Sequence, residues 1–275
     1  MGTLVCLHAH PDDEAIATGG SMARAHAEGH RVVLIVATDG AHGETPDDLA
    51  EGESLEDRRR AETMASAAAL GIDHVEFLDY TDSGMTGWDQ NEHHEAFCQA
   101  DLDTVSGRVA DLLRREQADV FTIYDWHGGY GHPDHVQVHR VGCRAEELVR
   151  ADLPELRVFE STMNRDSMRR MLSMAGEMGL GEAGPEGDDG EAFDPDGPMD
   201  DGNPMGTPEA ELTLGVDVSG FTENKRAAIS AHRSQVSDSS FFVQMPPDLF
   251  AEAFGREWYI EQGQPLGLKM GWFFE

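Results

Sequence analysis

Two short stretches, far apart in the chain, concentrate ionisable residues in a way that suggests chemistry. The first is "HPDDE", which begins at residue 10 and directly follows the apolar run "TLVCLHA". The second is "GHPDH", which ends at residue 135 and follows the apolar run "ADVFTIYD". A solvated turn needs one or two such residues, so clusters of this density require another explanation. Together the two stretches contain His10, Asp12, Asp13, His132, Asp134 and His135.

Both apolar runs read as buried strands, and ligands of open α/β sheets bind beyond the carboxyl ends of the strands. If the two loops meet at one rim, their imidazoles and carboxylates desolvate or repel one another unless a cation neutralises them. Two imidazoles and one carboxylate are a usual ligand set for catalytic zinc with an open position for water. Zinc lowers the pKa of that water toward about 7, and a nearby carboxylate can take its proton. The pattern therefore favours a metal-dependent hydrolase.

The competing interpretation is that each His-Pro-Asp turn simply starts a helix. Asp is a good N-cap and Pro suits the first helical turn, so one such turn alone would be ambiguous. The same tripeptide at two equivalent strand ends favours a shared site. The histidines at 93, 94 and 139 fall on predicted helix surfaces, and we interpret them as solvated.

Strand-like and helix-like segments alternate along the chain, which predicts an α/β fold with a mostly parallel sheet and helices on both faces. One helix is predicted over residues 14–29 and a long one over 91–117. Further strand and helix patterns beyond residue 211 predict a C-terminal extension of one domain spanning 1–275. The tract 181–211 is rich in Gly, Pro, Asp and Glu and lacks Lys and Arg. We expect this tract to be a flexible, solvated insertion.

Composition excludes several classes of partner. The chain has 53 acidic and 20 basic residues, a formal net charge of -33, which disfavours binding to nucleic acid or to anionic membranes. No apolar stretch approaches the roughly 18 residues of a membrane span. The three cysteines form no CxxC pair, and a strand-like run follows Met1 almost at once, so we expect a reduced, cytoplasmic protein without a secretory leader. A homo-oligomer stays open.

The pairing of "AHPDDE" with "GHPDH" resembles the LmbE-like, or PIG-L, zinc-dependent deacetylases, which remove acetyl groups from N-acetylglucosamine-containing molecules. The resemblance covers about residues 3–149, and "KRAAISAHRSQ" near residue 225 also looks like a family segment. It implies a Rossmann-like three-layer α/β sandwich. It also implies Zn²⁺ as cofactor, with other divalent ions able to substitute.

Carried over residue by residue, the resemblance implies a ligand set and a base. His10 and Asp13 from the first motif and His135 from the second would bind zinc. Asp12 would be the general base that deprotonates the attacking water.

Three further residues of the second motif acquire roles from the same resemblance. His132 would stabilise the oxyanion or protonate the leaving amine, and Asp134 would orient His132. Tyr130 matches a mobile tyrosine that helps to polarise the carbonyl. Amide hydrolysis needs an activated water, a Lewis acid and a proton for the amine, so this set is chemically coherent.

The stretch "YTDSGM" resembles the branch of the family that handles mycothiol, which contains a biosynthetic deacetylase and an amidase that cleaves mycothiol S-conjugates. The resemblance implies that Glu44, Arg59 and Asp82 hold the sugar of a small-molecule glycoside. Met85 lies where room for the acyl group would be decided. We expect de-N-acetylation, with the S-conjugate amidase as the alternative.

Two functions from other classes remain to be weighed. A non-catalytic sugar- or nucleotide-binding Rossmann-like protein lacks support, because no GxGxxG follows a predicted strand. A non-enzymatic metal-binding module would need neither Asp12 nor His132 beside the presumed ligands. The intact pair therefore favours an enzyme.

Overall fold

The computed structural model describes residues 1–177, 194–199, 201–237 and 240–275. Its strands are β1 (Thr3–His8), β2 (Arg31–Thr38), β3 (His74–Tyr80), β4 (Val120–Tyr124), β5 (Arg157–Thr162), β6 (Leu214–Asp217), β7 (Arg256–Glu261) and β8 (Lys269–Gly271). Its helices are α1 (Asp13–Ala17), α2 (Gly19–Ala27), α3 (Leu55–Leu70), α4 (Leu102–Glu116), α5 (Pro133–Val149), α6 (Arg165–Glu177), α7 (Thr222–Ala231), α8 (Phe241–Gln244) and α9 (Pro247–Phe254).

The strands form one eight-stranded sheet in the order β3-β2-β1-β4-β5-β7-β6-β8. The first five strands of this order are parallel, β7 runs antiparallel to both of its neighbours, and β8 pairs parallel with β6. The chain winds outward from β1 to β3 and then returns to place β4 on the other side of β1. This reversal creates a crevice beyond the carboxyl ends of β1 and β4, where α/β proteins bind ligands.

The core lies on both faces of the sheet because successive strand residues point to opposite sides. Every residue of β1 is buried, as expected for a central parallel strand. Val5 and Leu7 pack in a cluster with residues of α4 and α5, whereas Leu4 and Cys6 pack with residues of α2, α7 and α9. The predicted α/β fold with a mostly parallel sheet and helices on both faces is confirmed.

Two predicted helices differ from those observed. The segment 14–29 divides at Thr18 into α1 and α2: Thr18 has a non-helical φ of −132°, and its hydroxyl bonds to His8 Nε2 at 2.8 Å. The segment 91–117 forms an α-helix only from Leu102, after short 3₁₀ turns at Asp89–Glu92 and Phe97–Gln99. There the carboxylate of Asp101 caps the helix by accepting from the backbone N–H of Thr104.

The acidic tract was expected to be flexible, and part of it differs from that expectation. Residues 181–193 lie outside the described residues. Beyond them, the Gly206 N–H donates to the Gly129 carbonyl at 2.7 Å, and Asp201 approaches His127 Nδ1 at 3.3 Å. The end of the tract is therefore packed against the loop that follows β4.

The surface is dominated by acidic side chains, since 53 carboxylates cannot all find partners among 20 basic residues. Several surface arginines form ion pairs, for example Arg114 with Asp152 and Arg150 with Glu146, both at 2.6 Å. Within the described segments, no helix combines the length and the apolar character needed to cross a membrane.

Candidate metal centre and active site

Three donor atoms from two loops meet at the crevice between β1 and β4. His10 Nδ1 lies 3.3 Å from Asp13 Oδ2 and 3.2 Å from His135 Nε2. His135 Nε2 lies 3.3 Å from Asp13 Oδ2. We refer to His10, Asp13 and His135 as the donor trio.

The spacing of the donor trio fits a tetrahedral divalent ion. Zinc bonds of 2.0–2.2 Å place neighbouring tetrahedral ligands about 3.3–3.5 Å apart, which matches the three observed separations. The far nitrogen of each ring is also engaged: His135 Nδ1 bonds to the Gly128 carbonyl at 3.0 Å, and His10 Nε2 to Asp134 Oδ2 at 3.2 Å. Such partners fix the tautomer and orientation of metal-binding histidines. Because the Gly128 carbonyl can only accept, a neutral His135 carries its proton on Nδ1. The lone pair of its Nε2 then faces His10 and Asp13.

The electrostatics of the trio also call for a cation. Burial disfavours a charged His10, but hydrogen bonds to Asp13, Asp134 and Asp82 outweigh burial and raise the pKa of His10 well above its ordinary value. Burial likewise opposes ionisation of Asp13, yet His135 and His10 hold the pKa of its carboxyl well below the usual range. The crevice therefore has an excess of negative groups that a bound cation would balance.

The close packing around His135 depends on the residues that flank it. Gly128 has a φ of 70°, and a Cβ there would lie 2.3 Å from the Cβ of His135, so a larger residue would displace the ligand. On the other side, the ring of Tyr124 stacks on His135 with centroids 4.3 Å apart. Both contacts hold the imidazole at the end of β4.

His132 differs from the donor trio in its hydrogen bonding. It is the N-cap of α5, and its Nδ1 accepts from the backbone N–H of Asp134 at 3.1 Å. The neutral ring must then carry its proton on Nε2. Burial, followed by the charges of His10 and His135, lowers the pKa of His132 to about 2. Its ligand nitrogen also lies within 4.8 Å of those of His10 and His135, so an all-histidine set is the geometric competitor of the donor trio.

The carboxylate of Asp134 does not orient His132 as expected. It bonds to His10 Nε2 and accepts from both the backbone N–H of Ser83, at 2.9 Å, and the Ser83 hydroxyl. Asp134 lies in the first turn of α5, and it contacts both histidines. Its carboxylate bonds to His10, while its backbone N–H donates to His132 Nδ1.

Asp12 stands beside the donor trio in an unusual backbone conformation, with φ 146° and ψ −27°. Its Oδ2 accepts from Arg59 Nη2 at 3.0 Å. Burial raises the pKa of Asp12 to about 6, and the charge of Arg59 limits the rise, whereas that of Asp13 adds to it. A carboxyl with this pKa is poised to accept a proton near neutral pH.

Arg59 was expected to hold the sugar, but its guanidinium is used within the protein. It donates to the Gly40 carbonyl at 2.7 Å, to the Pro11 carbonyl at 2.8 Å and to Asp12. Its side chain is buried, whereas Arg58 pairs with Glu53 on the surface. The structure thus makes Arg59 the arginine that faces the crevice, and its contacts brace the two loops beside it.

A cavity of about 570 Å³ opens on the donor trio. Asp82, Met85 and Tyr130 line it, as does Arg59. Asp82 is buried, with Oδ1 3.5 Å from His10 Nε2 and accepting from the Gly84 N–H at 2.8 Å.

Two of the predicted site residues, Glu44 and the buried Asp134, do not line the cavity, and Glu44 is the one of the two that was expected to hold the sugar. Its side chain is exposed. Its backbone N–H and carbonyl are held by the Gln235 amide at 3.0 and 2.9 Å. Gln235 itself lines the cavity.

Sequence reasoning missed the wall that faces the donor trio. This wall comes from the end of β5, from α6 and from the turn between α9 and β7, and its members include Thr162, Met163, Asn164, Met168, Met171, Phe254 and Trp258. No motif marks these segments, so periodicity alone could not assign them to the site. By contrast, "KRAAISAHRSQ" was singled out, and Lys225 and Gln235 at its ends line the cavity.

Comparison with known proteins fits this geometry. The family model "PIG-L: GlcNAc-PI de-N-acetylase" matches residues 5–146, more than half of the chain. The chain belongs to the PIG-L family. The expected family, its amide-hydrolase class and an enzymatic function are thereby confirmed.

Curated relatives extend the similarity to nearly the whole chain. A protein of Acidothermus cellulolyticus named 1D-myo-inositol 2-acetamido-2-deoxy-alpha-D-glucopyranoside deacetylase is 37% identical over 94% of this chain and 88% of its own length. One of the same name from Thermobifida fusca is 38% identical over 85% and 83%. An N,N'-diacetylchitobiose deacetylase from Pyrococcus horikoshii superposes with a TM-score of 0.59 over 95% of this chain and 84% of that one. At 20% identity, that match shows the shared fold.

Proposed function

We propose that this protein removes the acetyl group from an N-acetylglucosaminyl inositol, the compound named in its curated relatives, with one divalent ion, preferably zinc, held by the donor trio. The observation that supports this most strongly is the 3.2–3.3 Å spacing of His10 Nδ1, Asp13 Oδ2 and His135 Nε2 beside the half-buried Asp12. The 37% identity over 94% of the chain supports the choice of substrate.

Zinc at this position would act as a Lewis acid and lower the pKa of a water molecule. The chain's own contribution is to fix the donors. Asp134 holds His10 through its Nε2, and the Gly128 carbonyl holds His135 through its Nδ1. Oriented donors of this kind raise metal affinity and set which nitrogen faces the ion.

Asp12 is proposed to take the proton from the attacking water. With a pKa of about 6, it is mostly ionised at neutral pH yet basic enough to accept a proton. Arg59 holds its Oδ2 from one side, which leaves the carboxylate directed by a fixed contact rather than free to rotate.

His132 is proposed to meet the carbonyl oxygen of the acetamide. Its Nδ1 is occupied by the Asp134 N–H, so the neutral ring presents an Nε2–H donor. A donor placed where negative charge develops stabilises the transition state more than the ground state. Tyr130, whose ring lies 6.1 Å from that of His132 between centroids, is proposed to assist it, and the departing amine would receive the proton that Asp12 has taken from the water.

The substrate side of the cavity favours a neutral glycoside. Asp82 offers carboxylate oxygens to sugar hydroxyls, and charged partners make such bonds strong. The two buried cations of the wall are already paired: Arg59 with Asp12, and Lys225 with Glu257 at 2.5 Å. Arg256 also lines the cavity, but a phosphate would require several basic groups together, and Arg256 is a single exposed guanidinium.

Other expectations remain proposals. Glu44 would need to turn inward to reach a sugar, and Met85, at the cavity wall, is placed to limit the acyl group. We infer a single catalytic domain over residues 1–275, since β6, β7 and β8 complete the sheet that carries the donor trio. We also propose a cytoplasmic location and a homo-oligomer.

The test is amide cleavage of three compounds by the zinc-loaded protein. Acetate release is measured with N-acetylglucosaminyl inositol and N-acetylglucosamine phosphate, and release of the free glucosaminyl amine is measured with a mycothiol S-conjugate. We expect the inositol compound to be turned over best and the phosphate poorly. Cleavage of the S-conjugate amide without acetate release from the inositol compound would contradict the proposed substrate and support the amidase.

A further inference from the structure

The backbone of Asp12 has to be held in place by its surroundings. A φ of 146° with ψ −27° is a conformation that residues with a side chain rarely adopt, and it persists where neighbouring contacts impose it. Arg59 bonds to the Pro11 carbonyl and to the Asp12 carboxylate on one side. On the other side, the Asp12 N–H donates to Glu14 Oε2 at 3.1 Å.

Glu14 is itself fixed by a partner from a distant part of the chain. It is completely buried, and its second oxygen, Oε1, bonds to His232 Nε2 at 2.7 Å and accepts from the Ser66 hydroxyl. A buried carboxylate is stable only when it is paired and hydrogen-bonded. Without His232, Glu14 Oε1 would lose the imidazole that holds it at 2.7 Å, and Ser66 would be its remaining partner.

His232 reaches Glu14 from the C-terminal segment. It follows α7 directly and is fully buried. Two residues later, Ser234 anchors the segment to Glu62 of α3 through its N–H at 2.9 Å and its hydroxyl at 2.6 Å. Among the described contacts, neither His232 nor Ser234 touches the donor trio. His232 bonds to Glu14 and not to Glu62, and Ser234 bonds to Glu62 and not to Glu14. The two anchors therefore serve the same segment but different partners.

We infer that His232 is a positioning residue, which acts through Glu14 to hold the Asp12 backbone in the geometry needed for proton transfer. This inference rests on the proposed role of Asp12 as the general base. A shift of about 1 Å in a catalytic group can cost about 10²-fold in rate, so a support behind the loop can affect turnover without touching substrate.

Activity measurements separate positioning from general stability. We expect His232→Ala to lower kcat about 10–100-fold while zinc content and KM stay close to wild type. His232→Gln should recover much of the loss, because its amide nitrogen lies near the position of the imidazole Nε2 and can donate to Glu14. Ser234→Ala is the matched control: it loosens the same segment but should leave kcat unchanged. Equal losses in His232→Ala and Ser234→Ala would overturn the inference.

The Asp12→Asn background tests whether His232 acts through Asp12. If it does, adding His232→Ala to Asp12→Asn should cause no further loss of kcat, because residues acting as a unit are not additive. A full additional loss would show that His232 acts elsewhere. Should His232→Ala fail to fold, His232→Asn, too short to reach Glu14, replaces it in both comparisons.

A structural measurement keeps the inference testable even if the proposed substrate is wrong. In a crystal structure of the zinc-loaded His232→Ala protein, we expect Asp12 to leave its positive φ while the donor trio keeps its spacing. An Asp12 that retains its conformation would refute the inference, whatever the substrate. Wild-type protein that releases no acetate would instead count against the proposed function alone.

Discussion

The loops after β1 and β4 differ in construction from the wall that faces them across the cavity. The loops follow two neighbouring parallel strands, so His10 and His135 are brought together by the register of the sheet itself. The opposite wall combines the end of β5, α6, α9 and β7, and these pieces contribute several side chains, such as Met168 and Trp258. The fold thus fixes the reacting groups rigidly and leaves the shape of the substrate site to segments from the second half of the chain.

The largest expected effect comes from removing a member of the donor trio. His135→Ala removes one of three donors and should abolish both zinc binding and turnover, measured by metal analysis and acetate release. Met171→Ala is the matched change on the opposite wall and should keep full metal content, with an effect confined to KM. If His135→Ala retained a full complement of zinc, His135 would not be a zinc ligand, and the proposed difference between the two sides of the cavity would be wrong.

Asp12→Asn should give the next largest effect. The amide keeps the shape but cannot accept a proton, so we expect a loss of about 10²–10⁴-fold in kcat with near-normal zinc content. The raised pKa of Asp12 also predicts that wild-type turnover falls as pH drops through about 6, because protonation removes the base. This acid limb should disappear from the pH profile of Asp12→Asn. Loss of metal in that variant would show that Asp12 is a ligand rather than the base.

The substrate side should respond more weakly. Asp82→Ala removes a charged hydrogen-bond acceptor from the cavity. We expect kcat/KM at saturating zinc to fall by a factor that corresponds to a loss of about 1.5–3 kcal/mol in transition-state stabilisation. Glu44→Ala tests whether this residue turns inward to the sugar; because its side chain is exposed and does not line the cavity, we expect a smaller effect than from Asp82→Ala. A larger effect from Glu44 than from Asp82 would mean that the loop after β2 closes over the bound sugar.

The smallest effect concerns stability rather than catalysis. With a net charge of -33, the surface repels itself, and salt should screen this repulsion. We expect the urea midpoint of unfolding to rise between low and molar KCl. The pairing of the buried donor trio should depend little on salt, so zinc content should stay constant over the same range. A midpoint that is independent of KCl would show that self-repulsion does not limit stability.

The contrast between the two sides also explains what the sequence could predict. The convergence of the two motifs was predicted because each follows a strand of one mostly parallel sheet, whereas the choice of His10, Asp13 and His135 as ligands was implied by the resemblance to the family. The partner of Asp134 could not be predicted, because its position on the first turn of α5 decides whether the side chain points to His10 or to His132. The exposed position of the Glu44 side chain could not be predicted, because a motif does not encode the direction of a loop.

Contacts between side chains of different elements show the same limit. The boundary between α1 and α2 lies at Thr18, whose hydroxyl bonds to His8, and the role inferred for His232 depends on its contact with Glu14, 218 residues away. Hydrophobic periodicity reports which face of an element is buried, but it does not report which distant side chain covers that face. Such contacts are available only from the folded structure.

The most direct test of the account is the location of the metal. Crystals grown with zinc and measured at the zinc absorption edge should show one anomalous peak in the crevice, about 2.0–2.2 Å from His10 Nδ1, Asp13 Oδ2 and His135 Nε2. A peak bonded to His10, His132 and His135, with Asp13 outside bonding distance, would contradict the donor trio and would remove His132 from its proposed role at the carbonyl oxygen.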